Sequence, residues 1–232
     1  NMTSPIIGIC DSGSGGQVVA QFLESEFPRA KILVELDRAN APFGSKSVAQ
    51  LEKIGFNLVA KLINRGAEII VVACHTISST CLPAIQAKYT LPIISANEVL
   101  TAELSNLIKN QALINKPVNT IGILATQRTI DSSWFPKNLK IQYPDLKVNS
   151  IACPELATAN DQQNGALIND LLDDYLAQLP LESLDALLLA CTHYPVVKKQ
   201  IATKLPRQIP ILDTHKQLVI ELTTKFTLNE KA

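Results

Sequence analysis

Short apolar runs alternate with longer amphipathic segments along the whole chain. The runs PIIGICD, AKILVELD, AEIIVVACHT and LPIIS are apolar enough to be strands buried on both faces. Between them, residues 47–65 carry leucine and isoleucine at helical spacing and stop at Gly66, which is typical of a helix C-terminus. We predict further helices over residues 17–27 and from near residue 78. This alternation indicates βα units wound on a parallel sheet.

The same order of segments then occurs a second time. NTIGILAT resembles PIIGICD with Gly122 in the place of Gly8, and ALLLACTH resembles IIVVACHT with Cys191 in the place of Cys74. IPILDTH resembles LPIISAN in the same order and at a nearly constant offset. We therefore predict an α/β protein made of two pseudo-symmetric, doubly wound domains, each with a parallel sheet.

Each half ends one buried run in a cysteine with a histidine close behind, as Cys74-His75 and Cys191-Thr192-His193. Ligands of open parallel sheets bind beyond the carboxyl ends of the strands. We therefore expect the two thiols to face one another across an active-site cleft that the domains share. One thiolate would remove a proton from carbon while the other thiol returns a proton on the opposite face, which predicts racemisation or epimerisation. A single Cys–His pair would equally suit nucleophilic acyl transfer.

The glycine-rich segment DSGSGG follows the first predicted strand. It lacks the third glycine of a dinucleotide-binding fingerprint, with Val18 in that place, although Glu35 stands where a ribose-binding acid would. We interpret the segment as a tight turn whose backbone amides meet a small carboxylate, and Asp11 as an orienting carboxylate at the strand end. A dinucleotide-binding oxidoreductase remains a remote alternative.

Composition excludes several other classes of protein. The 21 basic residues balance the 21 acidic ones without a basic run, which argues against nucleic-acid binding, and no apolar stretch reaches the roughly 20 residues of a membrane span. The five cysteines are an odd number without CxxC spacing, so we interpret Cys10, Cys81 and Cys153 as buried packing residues. We expect a cytoplasmic protein that binds a small molecule and uses neither metal nor cofactor.

Five motifs together resemble a known family. DSGSGG is similar to the family's DSGxGG, APFGSKS to its PYG segment, ACHT to its ACNT, ATQRT to its ATxxT, and ACTHYP to its GCTHYP. They occur in the family's order between residues 11 and 195. The chain thus resembles the glutamate racemases of the aspartate/glutamate racemase superfamily. The resemblance implies two α/β domains, formed by residues 1–96 with 207–232 and by residues 97–206, and a cofactor-independent site between them.

The resemblance also implies roles for individual residues. Cys74 and Cys191 would be the two catalytic acid–base groups, assisted by Asp11 and His193 respectively. The pocket that holds the substrate's ammonium and carboxylate groups would be lined by Ser12, Pro42, Phe43, Gly44, His75, Thr76, Thr126 and Thr192. The implied reaction interconverts L- and D-glutamate and supplies D-glutamate for peptidoglycan, and the implied assembly is a homodimer.

Three positions depart from the family's pattern. His75 stands where the family has an asparagine that contacts substrate, and Phe43 replaces a tyrosine. The carboxylate expected after the second-domain Cys-Pro has two candidates, Glu155 by proximity and Asp161 by spacing. An imidazole is larger than an amide and can carry charge, which would change substrate size or affinity. A racemase of aspartate or another amino acid, and a non-catalytic ligand-binding relative, therefore remain alternatives.

Overall fold

The chain forms two compact units in a computed structural model that describes residues 5–110 and 116–226. Among these residues, one unit contains the chain up to Val99 together with the segment from Thr214 onward, and the other contains Leu100–Asp213. The chain passes from one unit to the other after Val99 and again after Asp213, a few residues beyond the boundaries that the resemblance implies.

Each unit is built on a four-stranded sheet in which all neighbouring strands are parallel. The strands are β1 (Ile6–Asp11), β2 (Lys31–Leu36), β3 (Ile69–Val72), β4 (Ile93–Ser95), β5 (Thr120–Ala125), β6 (Lys147–Ala152), β7 (Ala186–Ala190) and β8 (Ile211–Leu212). Their order is β2-β1-β3-β4 in the first sheet and β6-β5-β7-β8 in the second. The equivalent orders confirm the prediction of two α/β domains with parallel sheets, whereas the shared cleft stays a prediction.

Helices flank both sheets. They are α1 (Ser14–Glu26), α2 (Val48–Asn64), α3 (His75–Thr80), α4 (Leu82–Lys88), α5 (Ala96–Lys109), α6 (Gln127–Ser132), α7 (Trp134–Gln142), α8 (Leu156–Asp161), α9 (Gly165–Leu176), α10 (Lys198–Lys204) and α11 (His215–Phe226). Within residues 5–110 and 116–226, every helix is too short or too polar for a membrane span.

Local sequence explains where α2 begins and ends. Ser47 accepts a hydrogen bond from the backbone N–H of Gln50, whose side chain accepts one from the N–H of Ser47 at 2.9 Å, so a capping box starts the helix. The chain leaves the helix through Gly66, which has a left-handed φ of 92°. The helix predicted over residues 47–65 is thereby confirmed to within one residue at each end.

Two other predicted helix starts are wrong. Helix α1 begins at Ser14, within the glycine-rich segment, rather than at residue 17. Helix α3 begins at His75 rather than near residue 78, because the Ser78 N–H donates to the Cys74 carbonyl at 2.9 Å and closes a first turn directly behind the strand. Cys74 is therefore the N-cap residue of α3.

The inner strands β3 and β7 place the two candidate catalytic cysteines at the carboxyl ends of the strands in their sheets. Every residue of both strands is buried, which agrees with their unbroken apolar sequences. Strand β3 lies between β1 and β4, and β7 lies between β5 and β8. Cys74 and Cys191 therefore leave the carboxyl ends of equivalent strands in their respective sheets.

Candidate active site

In the first unit, Asp11 ends β1 and Cys74 follows the neighbouring strand β3 at the same edge of the sheet. Cys10 pairs with Val72 across β1 and β3, and the Ala73 N–H donates to the Cys10 carbonyl at 3.0 Å. Cys74 is buried at the start of α3, and Asp11 is completely buried. The structure thus brings a thiol and a carboxylate of the predicted site to one edge.

The glycine-rich segment folds back onto the Asp11 carboxylate. Oδ2 of Asp11 accepts hydrogen bonds from the N–H of Gly16 at 2.8 Å and of Gly13 at 3.3 Å. These two amides therefore hold the protein's own carboxylate, and the binding of an external carboxylate by other amides of the segment stays a prediction. A carboxylate at the strand end lies closest to the turn that follows it, which explains this arrangement.

His75 is the first residue of α3 and only 3% of it is exposed. Its Nδ1 lies 2.7 Å from Oδ1 of Asn97, which follows β4. Burial lowers the pKa of His75 from 6.5 to about 4, while the hydrogen bond to Asn97 acts in the opposite direction. The imidazole is therefore neutral at pH 7, and the charge that we considered for it does not develop.

Burial of a neutral imidazole predicts acid sensitivity of the fold. The unfolded chain binds a proton at His75 near pH 6.5 and the folded chain only near pH 4, so stability is complete above pH 6.5 and falls between these values. At pH 5 the loss should be about 2 kcal/mol. We expect urea unfolding at pH 7 and pH 5 to show this difference, and His75→Asn to reduce it.

The control for this measurement is His215→Asn, which removes a histidine that packs edge-on against Phe22 at 4.8 Å between ring centroids. It should preserve the pH difference of the unmodified protein. An undiminished difference in His75→Asn would contradict the assignment to His75.

In the second unit, Cys191, His193 and Asp161 form a chain of three groups. Sγ of Cys191 lies 3.7 Å from Nδ1 of His193, and Nε2 of the same ring lies 3.5 Å from Oδ2 of Asp161. The thiol and the imidazole are buried, whereas half of the Asp161 side chain is exposed. Of the two candidate carboxylates, the structure brings Asp161 to the histidine; Glu155 lies at the other end of α8.

Helix α8 also fixes the backbone of His193. Nδ2 of Asn160 donates to the His193 carbonyl at 3.1 Å. Asn160 and Asp161, at the C-terminal end of α8, thus contact the main chain and the ring of His193 respectively. Sequence analysis missed Asn160, because no motif or spacing predicts that its side-chain amide binds a backbone carbonyl.

Sequence reasoning also missed Tyr194, although it lies inside the ACTHYP motif. This residue is completely buried, and its hydroxyl donates to the Cys153 carbonyl at 2.9 Å. Its backbone N–H donates to the Cys191 carbonyl at 3.1 Å. Tyr194 therefore links the turn that follows Cys191 to the backbone of Cys153.

The remaining cysteines behave as buried packing residues. Burial raises the pKa of the Cys10 thiol to about 12, with a smaller contribution from neighbouring Asp11. Burial also raises the pKa of Cys81 and Cys153. Because only a thiolate acts as a base or nucleophile, these three thiols are unsuited to acid–base chemistry at neutral pH.

The predicted substrate-binding residues lie in loops and at helix starts of both units. Ser12 follows β1 and Thr76 follows His75, while in the other unit Thr126 follows β5 and Thr192 follows Cys191. Thr126 caps α6 by accepting a hydrogen bond from the Thr129 N–H.

The 42–44 segment lies in the first unit. Pro42 is exposed, Gly44 is half-buried, and Phe43 is buried in the hydrophobic cluster that also contains Cys74. The Phe43 ring is therefore a core side chain.

We also looked at the residues that a dinucleotide site or a metal site would use. Glu35, at the spacing of a ribose-binding acid, accepts a hydrogen bond from Arg65 at 2.6 Å. Within residues 5–110 and 116–226, no group of three or more histidine, cysteine or acidic side chains is arranged to hold a metal ion.

Comparison with known sequences agrees with the motifs. The family model of Asp/Glu/Hydantoin racemases matches residues 17–222. A glutamate racemase of Chlorobium phaeobacteroides is 32% identical over 211 residues, which are 90% of this chain and 75% of that protein. One of Clostridium acetobutylicum is 32% identical over 226 residues, which are 95% of this chain and 83% of that protein.

Comparison with solved structures gives the same result. A glutamate racemase isoform of Bacillus anthracis has a TM-score of 0.86 at 31% identity, covering 97% of this chain and 82% of that one. Glutamate racemase of Francisella tularensis, solved in complex with D-glutamate, has a TM-score of 0.84 at 27% identity, covering 100% and 85%. These matches confirm the resemblance read from the five motifs.

Proposed function

The chain belongs to the Asp/Glu/hydantoin racemase family, and we propose that it interconverts L- and D-glutamate by proton transfer between two cysteines, without a cofactor. The observation that carries this proposal is the equivalent placement of Cys74 and Cys191, each within two residues of the carboxyl end of the buried inner strand of its sheet. The similar proteins named glutamate racemases, one of them solved with D-glutamate, support glutamate as the substrate.

The proposed reaction moves one proton at each thiol. A thiolate at one cysteine takes the Cα proton and becomes a thiol, while the bonding electrons remain on Cα. The thiol of the other cysteine then delivers its proton to the opposite face of Cα and becomes the thiolate. The product has inverted configuration, and the two sulfurs have exchanged protonation states. Cys74 and Cys191 must therefore each be stable both as thiol and as thiolate.

The side chains of Cys191, His193 and Asp161 in the second unit suit this requirement. We propose that Asp161 accepts a hydrogen bond from Nε2–H of His193, which leaves the Nδ1 lone pair facing the Cys191 sulfur. That nitrogen can accept the thiol proton, and the carboxylate stabilises the resulting imidazolium. In the first unit we assign the assisting role to Asp11, whose carboxylate is held by backbone amides at the same sheet edge as Cys74.

We propose that polar groups beside the thiols hold the substrate. The hydroxyl and backbone donors near the strand ends suit its carboxylates, and acceptors there suit its ammonium group. We assign these polar groups to Ser12, His75, Thr76, Thr126 and Thr192, and we propose that Pro42, Phe43 and Gly44 line the pocket beside them.

Asp161→Asn should slow racemisation by up to about fivefold, because an ion pair with a half-exposed carboxylate is worth about 1 kcal/mol or less. The effect should shrink in high salt, which screens the carboxylate. Initial rates from circular dichroism at two salt concentrations measure both changes. Glu155→Gln is the matched control and should retain the normal rate; the reverse pattern would assign the role to Glu155.

Incubation with L- or D-glutamate in D₂O tests the proposed function. We expect optical inversion by circular dichroism, with deuterium at Cα of the product by NMR. Exchange without inversion would show that only one thiol works. Turnover of aspartate but not glutamate would keep the chemistry and replace the substrate, and stabilisation by glutamate without any exchange would indicate a binding protein.

We extend the proposal to the physiological setting that the resemblance implies. The product D-glutamate would be supplied in the cytoplasm for peptidoglycan synthesis. The protein would act as a homodimer, which light scattering coupled to size-exclusion chromatography can test directly.

A further inference from the structure

His75 and Asn97 leave neighbouring strands at the carboxyl edge of the first sheet. Strands β3 and β4 are parallel, and Val72 pairs with Ser95 where both strands end. His75 lies three residues beyond Val72 and Asn97 two residues beyond Ser95, so the register of the strands brings the two residues together. Open parallel sheets bind their ligands at this edge.

The hydrogen bond between these side chains fixes which ring nitrogen of His75 carries the proton. Oδ1 of Asn97 lies 2.7 Å from Nδ1 of His75. An amide oxygen can only accept, so Nδ1 is the donor. Burial lowers the pKa of His75 to about 4, so the ring holds a single proton at pH 7. Nε2 is therefore unprotonated, and it is the nitrogen through which His75 accepts a hydrogen bond.

The Asn97 side chain makes an unfavourable contribution that its bond to His75 offsets only in part. The residue is completely buried, and its Nδ2 has no hydrogen-bond partner in the part of the chain that the structure describes. A buried donor without a partner costs free energy. An amide at this position is therefore poorly suited to stability alone, and its 2.7 Å contact with the imidazole indicates that it orients His75.

We propose that Asn97 is a positioning residue, which holds His75 as the Nδ1–H tautomer and so makes Nε2 the acceptor for the ammonium group of the substrate. This inference rests on the proposed function, in which His75 is one of the polar groups that hold the amino acid. An ammonium group has N–H donors and no acceptor. A ring with its proton on Nε2 would place one donor against another, and an imidazolium would repel the positive charge.

Nitrogen-15 NMR of the unmodified protein tests the tautomer directly. The chain has three histidines, and the variants His75→Asn and His215→Asn identify their signals. At pH 7 we expect Nδ1 of His75 at the chemical shift of a protonated ring nitrogen and Nε2 at that of an unprotonated one. A proton on Nε2 would overturn the inference. This measurement remains decisive even if a variant of Asn97 does not fold.

Asn97→Leu removes the acceptor at nearly constant side-chain volume. A buried N–H without an acceptor is costly, so we expect the proton of His75 to move from Nδ1 to Nε2 and both nitrogen shifts to change accordingly. An unchanged tautomer in this variant would overturn the inference.

The matched control is Thr101→Val. Thr101 is a buried polar residue one turn further along α5, and within residues 5–110 and 116–226 its hydroxyl makes no hydrogen bond. This variant should leave the tautomer of His75 unchanged. An equal change in both variants would show that the tautomer responds to any substitution in this helix, which would also overturn the inference.

Substrate kinetics give a second measurement. The ammonium group is held before and during the reaction alike, so KM for L-glutamate should rise about tenfold in Asn97→Leu while kcat stays within about twofold of normal. A lower kcat with an unchanged KM would contradict the assignment to the ammonium group. The NMR measurement requires neither substrate nor turnover. Absence of racemisation in the unmodified protein would therefore contradict the proposed function, while the tautomer would still decide the role of Asn97.

Discussion

Serine in place of Cys74 or of Cys191 should lower the rate of glutamate racemisation by about a thousandfold or more in either variant. A positioned acid–base group contributes roughly 10²- to 10⁴-fold to a rate, and a serine hydroxyl is a far weaker acid than a thiol. Both effects should be equally severe, because each turnover uses both sulfurs. Both side chains are buried behind equivalent strands, and serine is close to cysteine in size, so the fold should persist.

Racemisation followed by circular dichroism and Cα exchange followed by NMR measure this loss. Cys81→Ala is the matched control, since Cys81 is a buried thiol of the first unit whose pKa is raised by burial. It should retain the normal rate. Normal turnover in both serine variants would remove the two-thiol mechanism, and normal turnover in one of them would leave a mechanism with a single cysteine.

Alanine in place of Gly16 should destabilise the protein by about 3 kcal/mol and strongly reduce activity. A Cβ at this position would lie 2.3 Å from Cβ of Asp11 and 2.8 Å from Cδ2 of Leu36, far inside van der Waals contact. Relief of the clash must move β1 or the start of α1. Either movement breaks the 2.8 Å hydrogen bond that holds the Asp11 carboxylate.

Gly13→Ala is the matched control for this prediction. Gly13 also donates to Asp11, but a Cβ there meets no atom within 4 Å, and its φ of −178° is extended backbone that alanine adopts. We expect near-normal stability in urea unfolding and near-normal racemisation for this control. Equal behaviour of the two variants would show that the close approach at Gly16 does not position Asp11.

The strands and their pairing into two halves could be predicted because the signals are local. An unbroken apolar run such as the one in β7 indicates burial on both faces wherever it occurs. The repeated order of segments then implied two similar sheets. Helix α2 has start and stop signals in its own sequence, whereas α3 does not. The first turn of α3 depends on a hydrogen bond to the Cys74 carbonyl, and strand β3 ends before the apolar run that predicts it does.

The charge state and partners of the site residues could not be predicted, because they depend on contacts between distant parts of the chain. The neutral state of His75 follows from its burial, and its partner Asn97 belongs to a later βα unit. That Asp161 rather than Glu155 approaches His193 depends on where α8 packs in the second unit.

The sequence by itself therefore determined the two-sheet α/β fold, the family and the two cysteines at equivalent strand ends. Periodicity, apolar runs and short motifs are properties of adjacent residues, so they survive without coordinates. Only the tertiary structure decided that the glycine-rich turn holds Asp11 and that Asp161 approaches the ring of His193. Those contacts depend on how helices and turns pack against the strands. Packing brings distant residues together, and the type of a residue does not reveal which partner it will contact.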